Sequence, residues 1–295
     1  MKSESVLNDT LLMITALIWG LAFVAQRVGM EHIGPFTYNG VRFLLGAGVL
    51  IPLALWRSPM PRARWGGLSR SAVLAGLALF AAASLQQVGL VYTSAGNAGF
   101  ITGLYVVLVP LIGLGRRQWV GPERWLAVGL AVGGLYLLSV RQGLAINPGD
   151  LFVMGSAFFF ALHVQLIDYM SRRNSALWLS LAQYVVVGAA SLAIGLSVEP
   201  VSIEAFRGAS MAIIYGGLGS ISIAYTLQVI AQRKAAPSHA AIILSLEGTF
   251  AALGGWLILG EMLSPRALVG CALLLAGMLL SQFARLRRAR APVTP

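Results

Sequence analysis

Acidic side chains are scarce in this chain: Asp and Glu together number 10, against 21 Lys and Arg, in 295 residues. There is one cysteine, Cys271, and there are three histidines, His32, His163 and His239. A lone cysteine excludes an internal disulfide framework, and so few His and Cys residues form no cluster with metal-ligand spacing. Neither a metal nor any other cofactor is therefore expected. No GxxxxGK[ST] segment occurs, which removes direct coupling to nucleotide hydrolysis by this chain. HExxH and GxSxG are also missing, so no enzyme is expected.

What fills the chain instead is apolar. Hydrophobic residues make up 58% of it, charged residues only 11%, and the mean hydropathy is +0.80. Those values describe a membrane protein. A net charge of +11 raises the possibility of nucleic acid. The basic residues, however, are strung between apolar segments rather than gathered on one face, and no nucleic-acid partner is expected. Lys2 precedes the first apolar run, but Glu4 and Asp9 share the arm and no small-residue cleavage site follows. That run reads as an uncleaved helix.

A spanning helix needs about 20 mainly apolar residues, and ten such stretches can be placed: residues 9–26, 36–56, 71–91, 95–115, 123–140, 150–170, 178–198, 210–230, 238–260 and 265–284. Pro35, Pro122, Pro148, Pro237 and Pro265 fall at or just before proposed starts, where the missing N–H costs least. Pro110 lies inside the fourth stretch and should kink it. Sixteen of the 21 basic residues lie in the two tails and the even-numbered connections, including Arg62, Arg64, Arg116, Arg172 and Lys234. Arg27, Arg141, Arg207 and Arg266 lie on the opposite side, and Arg42 lies within the second stretch. Because Lys and Arg accumulate on the cytoplasmic side, both termini are read as cytoplasmic. The basic tail, residues 285–295, fixes orientation and touches anionic membrane lipid.

The second half repeats the first at an offset of 141 to 142 residues. Asp9 falls on Asp150, Trp19 on Phe160, Arg42 on Gln183, the Leu85-Gln86 pair on Leu227-Gln228, Asn97 on His239 and Tyr105 on Glu247. Each half, residues 9–140 and 150–284, holds five stretches, and five is odd, so the second copy enters the membrane from the opposite side. The expected fold is all-α: ten transmembrane helices in two inverted five-helix repeats. That is the architecture of many secondary transporters, with substrate held near the midplane.

The segments ALIWGLAFVAQRVG and YNGVRF in the first half, and ALGGWLILGEMLSPRALVGCALLLAGMLL in the second, resemble the drug/metabolite transporter superfamily and, within it, the EamA family. The resemblance covers nearly the whole chain. It implies a multi-pass transporter of the bacterial-type inner membrane, commonly an exporter of metabolites or drugs. Where many relatives have Leu-Glu-Pro in the ninth helix this chain has Leu246, Glu247 and Gly248, which leaves that helix less kinked. Arg117, Gln118 and Trp119 stand where the first half would show a matching Gly-Glu.

Charged side chains at a helix centre cost about 2.5 to 3.5 kcal/mol, so they face a cavity or a partner. At about 1.5 Å per residue, Glu247 lies roughly 14 Å deep, level with Tyr105, Trp19, Phe160 and His163. These five, with Arg42 nearer the outer surface, are the candidate substrate-binding residues. Glu247 and His163 are the candidates for proton coupling, since each can load and release a proton; each can equally bridge helices. Trp19, Tyr105 and Phe160 can stack on a substrate or simply pack. Arg42 can attract an anionic group or snorkel to headgroups. Gln86, Gln87, Gln183 and Gln228 read as interhelical hydrogen-bonding groups, and Asn97 and His239 as gate or helix-contact candidates. Gly99 with Gly103 and Gly129 with Gly133 have GxxxG spacing, which reads as close packing. Glu261 reads as a helix-end residue.

The leading expectation is a gradient-driven carrier of a small organic metabolite, such as an amino acid or related compound, working by alternating access. Efflux of hydrophobic drugs is the alternative, since it would need only the aromatic residues. An intramembrane enzyme lacks its motifs, and a channel would need a filter loop for which the short connections leave little room.

Overall fold

The computed structural model describes residues 2–57, 65–139, 148–260 and 264–290. Its elements are α1 (Lys2–Gly29), α2 (Pro35–Arg57), α3 (Trp65–Tyr92), α4 (Ala95–Gly103), α5 (Tyr105–Gly115), α6 (Pro122–Ser139) and α7 (Pro148–Ser171). There follow α8 (Ala176–Val198), α9 (Ile203–Ile214), a π-helical segment (Tyr215–Tyr225), α10 (Thr226–Gln232), α11 (Pro237–Leu244), α12 (Glu247–Leu259) and α13 (Pro265–Arg290). There is no strand among the described residues. Five helices begin on the prolines picked out above, Pro35, Pro122, Pro148, Pro237 and Pro265, where the lost donor would have been unpaired anyway.

Eight stretches among the described residues are long and apolar enough to cross a bilayer: Val6–Gly29, Pro35–Arg57, Leu68–Tyr92, Ala95–Gly115, Pro148–Ser171, Ala176–Val198, Ile203–Gln232 and Pro237–Leu259. The chain is thus built as an all-helical, multi-pass membrane protein. The other two stretches of the sequence reading, 123–140 and 265–284, fall in α6 and α13, which pack against each other. The eighth stretch is longer than its hydropathy outlined, because α9, the π-helical segment and α10 run on without a break. Arg62, Arg64, Arg141, Glu261 and residues 291–295 lie outside the described residues.

Two stretches are interrupted. α4 gives way to α5 at Leu104, and α11 to α12 at Ser245 and Leu246. At both places the ladder shortens by one residue: Leu104 N–H donates to Ile101 O at 3.2 Å, and Leu246 N–H to Ile243 O at 3.1 Å. The ninth stretch thus carries a tight turn at Ser245 and Leu246, both still in the right-handed helical region, with Gly248 where many relatives have proline. In the fourth, the interruption falls at Leu104 and not at Pro110.

Glycine contacts set the spacing between several helices. A Cβ on Gly99 would meet Ala251 Cβ at 3.0 Å, and one on Gly103 would meet a Leu135 methyl at 3.0 Å. The other GxxxG pair packs far less closely, since Gly129 has nothing within 4 Å and Gly133 only a Leu273 methyl at 3.8 Å.

α1 starts, and α13 finishes, at one end of the bundle, called here the terminal end; the opposite one is the far end. At the far end the Glu199 carboxylate accepts from the N–H groups of Phe36 at 2.8 Å and Thr37 at 2.7 Å, capping α2. Thr93 Oγ1 there donates to Asp150 Oδ1 at 2.7 Å. At the terminal end, His239 lies between Asp9 Oδ1 at 3.0 Å and Ser281 Oγ at 2.8 Å, tying α11 to α1 and α13.

Candidate functional site

A narrow cavity of about 30 Å³ lies inside the bundle. α1 supplies Trp19, Phe23 and Gln26, which share one face because helical positions four and seven apart align. α2 contributes Arg42, α3 Gln86, α4 Thr102, α5 Tyr105 and α7 Phe160. The π-helical segment adds Ser220 and Tyr225, and α12 adds Glu247.

The depths of these residues give the cavity a direction. Trp19, Tyr105, Phe160, Ser220 and Glu247 stand midway along their helical paths. Phe23, Gln26, Arg42, Gln86 and Thr102 stand nearer the far end. On the terminal side the space is closed by an apolar cluster that includes Leu12, Val106, Val109, Ile243 and Leu244, each 0% exposed.

The walls are partly aromatic and partly polar. The Trp19 indole lies 4.5 Å from the Tyr225 ring centre, tilted by 58°, and its N–H donates to Ser220 O at 3.3 Å. A π-helix is wider than an α-helix and is common at functional positions. Here its carbonyls meet α1 again one turn on, where Thr15 Oγ1 lies 3.3 Å from Ala224 O. Gln86 Nε2 donates to Thr102 Oγ1 at 3.0 Å.

Two ionisable side chains line the same space. Arg42 is 3% exposed, with its side chain turned into the bundle. Its Nε donates to Asn39 Oδ1 at 2.9 Å, and its guanidinium lies 5.0 Å from the Tyr38 ring centre and 5.4 Å from that of Phe43. Glu247, also 3% exposed, is the first residue of α12. Its carboxyl faces the hydroxyl of neighbouring Tyr105, and neither Oε1 nor that hydroxyl bonds to any third side chain among the described residues; a ligand or water entering the cavity would meet both groups.

The model of the EamA-like transporter family matches this chain over residues 7–140 and again over 147–283. The chain belongs to the EamA-like transporter family. A relative from Archaeoglobus fulgidus, called an uncharacterized transporter, is 31% identical over 92% of this chain and 84% of its own length. The uncharacterized transporter YwfM of Bacillus subtilis is 26% identical over 90% of both chains. A probable terminal-alkyne amino-acid exporter of Streptantibioticus cattleyicolor is 27% identical over 96% of both. One solved crystal structure superimposes with a TM-score of 0.76 at 18% identity, covering 96% of this chain and 99% of its own, which shows the fold alone.

In this EamA-like transporter the cavity brings together Trp19, Arg42, Gln86, Tyr105, Phe160 and Glu247 from the sequence candidates. His163 stands behind the wall, with Nε2 at 2.8 Å from Gln183 Oε1 and its ring edge-on to Tyr225 at 6.1 Å. Gln228 is 1% exposed on α10 and is not among the lining residues. His239 is the hub of the terminal-end contacts already described. Asn97 sits in the first turn of α4 at the far end, where its N–H donates to the capping Ser94 Oγ at 3.2 Å.

Phe23, Gln26, Thr102, Ser220 and Tyr225 line the cavity but were not picked out from the sequence. Phe23 and Gln26 were within reach of it, because they repeat the Trp19 face at helical spacing. Tyr225 carried no such signal; its mate at the 142-residue offset is Ala83, a small apolar residue.

Proposed function

We propose that this EamA-like transporter is a secondary carrier that exports a small zwitterionic metabolite of the amino-acid class. The observation that carries this reading is the pairing, in one aromatic-walled cavity, of a buried guanidinium on Arg42 with a buried carboxyl on Glu247. Arg42 would take the substrate carboxylate, for which a guanidinium fork is well shaped. Glu247 and Tyr105 would take the ammonium, and Trp19, Tyr225, Phe160 and Phe23 would surround an apolar side chain. The name of the Streptantibioticus cattleyicolor relative points the same way.

In this reading ten spans form two inverted repeats with both termini in the cytoplasm of a bacterial-type cell. Support comes from the double match of the family model, from the bias of basic residues, and from interruptions at Leu104 and Leu246, which are 142 residues apart. Alternating access between the halves would expose the site to each side in turn. The cavity of this structure would then face outward. Protons are the proposed coupling ion, carried by Glu247, which cannot both bind the ammonium and hold a proton. A second reading, efflux of hydrophobic compounds, draws on the aromatic wall alone.

Purified protein in liposomes tests the proposal. Flux of labelled phenylalanine is expected to respond to an imposed pH gradient, and Glu247→Gln to abolish that response. A variant that keeps full gradient-driven flux would remove Glu247 from coupling. Equal flux of phenylalanine and uncharged hydrophobic dyes would favour the second reading.

A further inference from the structure

A separate polar recess of about 220 Å³ opens at the terminal end, between the α5–α6 connection, the last turns of α7 and the start of α11. Pro110, Gln118, Asp168, Arg172 and Ser238 are in its walls. It lies in line with the central cavity, because the same helical paths serve both. Pro110 follows Tyr105 on α5, Asp168 follows Phe160 on α7, and Ser238 precedes Glu247 on the path of α11 and α12. Between the two spaces sits a plug of Val106, Val109, Val164, Ile243 and Leu244, none more than 3% exposed and all in one apolar cluster.

The recess carries its own acid and guanidinium. Asp168 is 6% exposed; its Oδ1 accepts from Arg172 Nη2 at 2.8 Å and its Oδ2 from Gln118 Nε2 at 3.4 Å. The Arg172 side chain is 53% exposed, so it can turn to a ligand while the carboxylate stays in place. From Asp168 the hydrogen bonds lead inward. Gln118 Oε1 accepts from Gln165 Nε2 at 3.1 Å, and the same Nε2 donates to the carbonyl of Val109, a plug residue, at 2.8 Å.

We infer that this recess is a loading site, in which a zwitterionic amino acid displaces the Asp168–Arg172 ion pair, its ammonium on Asp168 and its carboxylate on Arg172. The inference rests on the zwitterion-carrier reading above. A carrier that loads from the terminal side must receive its substrate there while the plug is shut, and this recess, like the central cavity, sets a carboxylate beside a guanidinium, with Arg124 adding a second basic group to its wall. Occupancy would draw on Asp168, hence on Gln118 and Gln165, and so on the Val109 turn of the plug. The exposed Trp119 on the rim, 79% accessible, would suit a lipid headgroup, but a buried carboxylate opposes a phosphodiester and suits an ammonium.

Equilibrium dialysis of labelled phenylalanine against the full-length protein in detergent tests this. Two classes of site are expected in the unaltered chain. Asp168→Asn and Arg172→Gln should each weaken one class by about tenfold or more, as for loss of a charged hydrogen bond, and Arg172→Lys by less. Glu247→Gln should weaken the other class and spare this one. Phenethylamine and 3-phenylpropionate, each with a single charge, should compete at the recess about tenfold more weakly than phenylalanine. Unchanged binding in both recess variants overturns the loading site, and leaves the central reading standing if Glu247→Gln still loses a class. Loss in the recess variants alone supports the loading site and overturns the central reading. Absence of all binding overturns both. Displacement of phenylalanine from the recess by phosphatidylglycerol at equal concentration makes it a lipid site and overturns the proposal. A variant that loses both classes together signals loss of fold; Asp168→Glu, which keeps the carboxylate, must then retain the recess class or the proposal fails.

Discussion

Replacing Gly20 by alanine asks whether backbone contact sets the wall between α1 and α12. A Cβ at position 20 would lie 2.3 Å from Phe250 Cβ, 2.8 Å from Glu247 O and 2.9 Å from Ala251 N. Non-bonded carbons rest about 3.5–4.0 Å apart, so the two helices must part by more than about 1 Å. None of the three obstacles is the mobile tip of a long side chain, so rotamer changes cannot relieve them. Such overpacking costs about 1–3 kcal/mol. Alanine also gains about 1 kcal/mol over glycine in helix propensity, which would mask part of the loss. Gly48→Ala removes that ambiguity, because its Cβ meets nothing within 4 Å and its propensity gain is of the same kind. The measurable quantity is the gap between the two variants, expected at about 1–3 kcal/mol, with Gly20→Ala the less stable. In thermal unfolding in detergent this is a separation of several degrees, at roughly 2–4 °C per kcal/mol for larger domains. Glu247 supplies one of the obstacles and also lines the cavity, so Gly20→Ala should weaken phenylalanine binding as well, while Gly48→Ala leaves it unchanged. Coincident melting of the two variants with equal affinity would refute the tight α1–α12 wall.

Trp19→Leu removes the 3.3 Å bond to Ser220 O and the 4.5 Å contact with Tyr225; calorimetry should show phenylalanine binding about tenfold weaker in a protein that still elutes as one species, and unchanged affinity would take Trp19 out of the binding wall. Glu199→Ala strips the start of α2 of both acceptor bonds, at 2.8 and 2.7 Å. Its stability should fall by about 1–2 kcal/mol with binding intact, and a melting curve that does not move would show that cap to be idle. His239→Ala leaves Asp9 and Ser281 without their shared partner at the terminal end. In a Cys271→Ala background, a cysteine placed at fully buried Ala241 should then react several-fold faster with a thiol reagent added from the terminal side, whereas equal rates would deny His239 a closing role.

Eight of the ten expected spans were legible because hydrophobic length is a local signal, and so is proline placement: five prolines head the helices they were expected to head. The interruptions were not. Neither Leu104 nor Ser245 and Leu246 carries a helix breaker, and Pro110, which does, pulled the expectation to the wrong turn. Around the first of them the neighbours are distant in sequence, Ala251 against Gly99 and Leu135 against Gly103. The π-helical segment is hidden for a related reason, since its carbonyls Ser220 O and Ala224 O acquire their meaning only where Trp19 and Thr15 reach them.

Of the cavity-lining residues, Arg42, Gln86 and Glu247 were legible as polar or ionisable groups that interrupt an apolar run, and Trp19, Tyr105 and Phe160 by depth, whereas Gln26, Thr102, Ser220 and Tyr225 were not. An acid inside an apolar span is opposed by about 2.5 to 3.5 kcal/mol. Glu247, however, is not in the middle of a helix: α12 begins at Glu247 itself, just after the break. The donors of that first turn are already used, Gly248 N–H by Ser245 O at 3.2 Å and Phe250 N–H by Leu246 O at 3.0 Å, so the carboxylate is left to the cavity and to the Tyr105 hydroxyl beside it. Tyr105 stands at the corresponding first position of α5. The two turns therefore lie at the same depth, and each sets its polar residue, Tyr105 or Glu247, at the first position of the helix that follows, where the two side chains meet across the cavity.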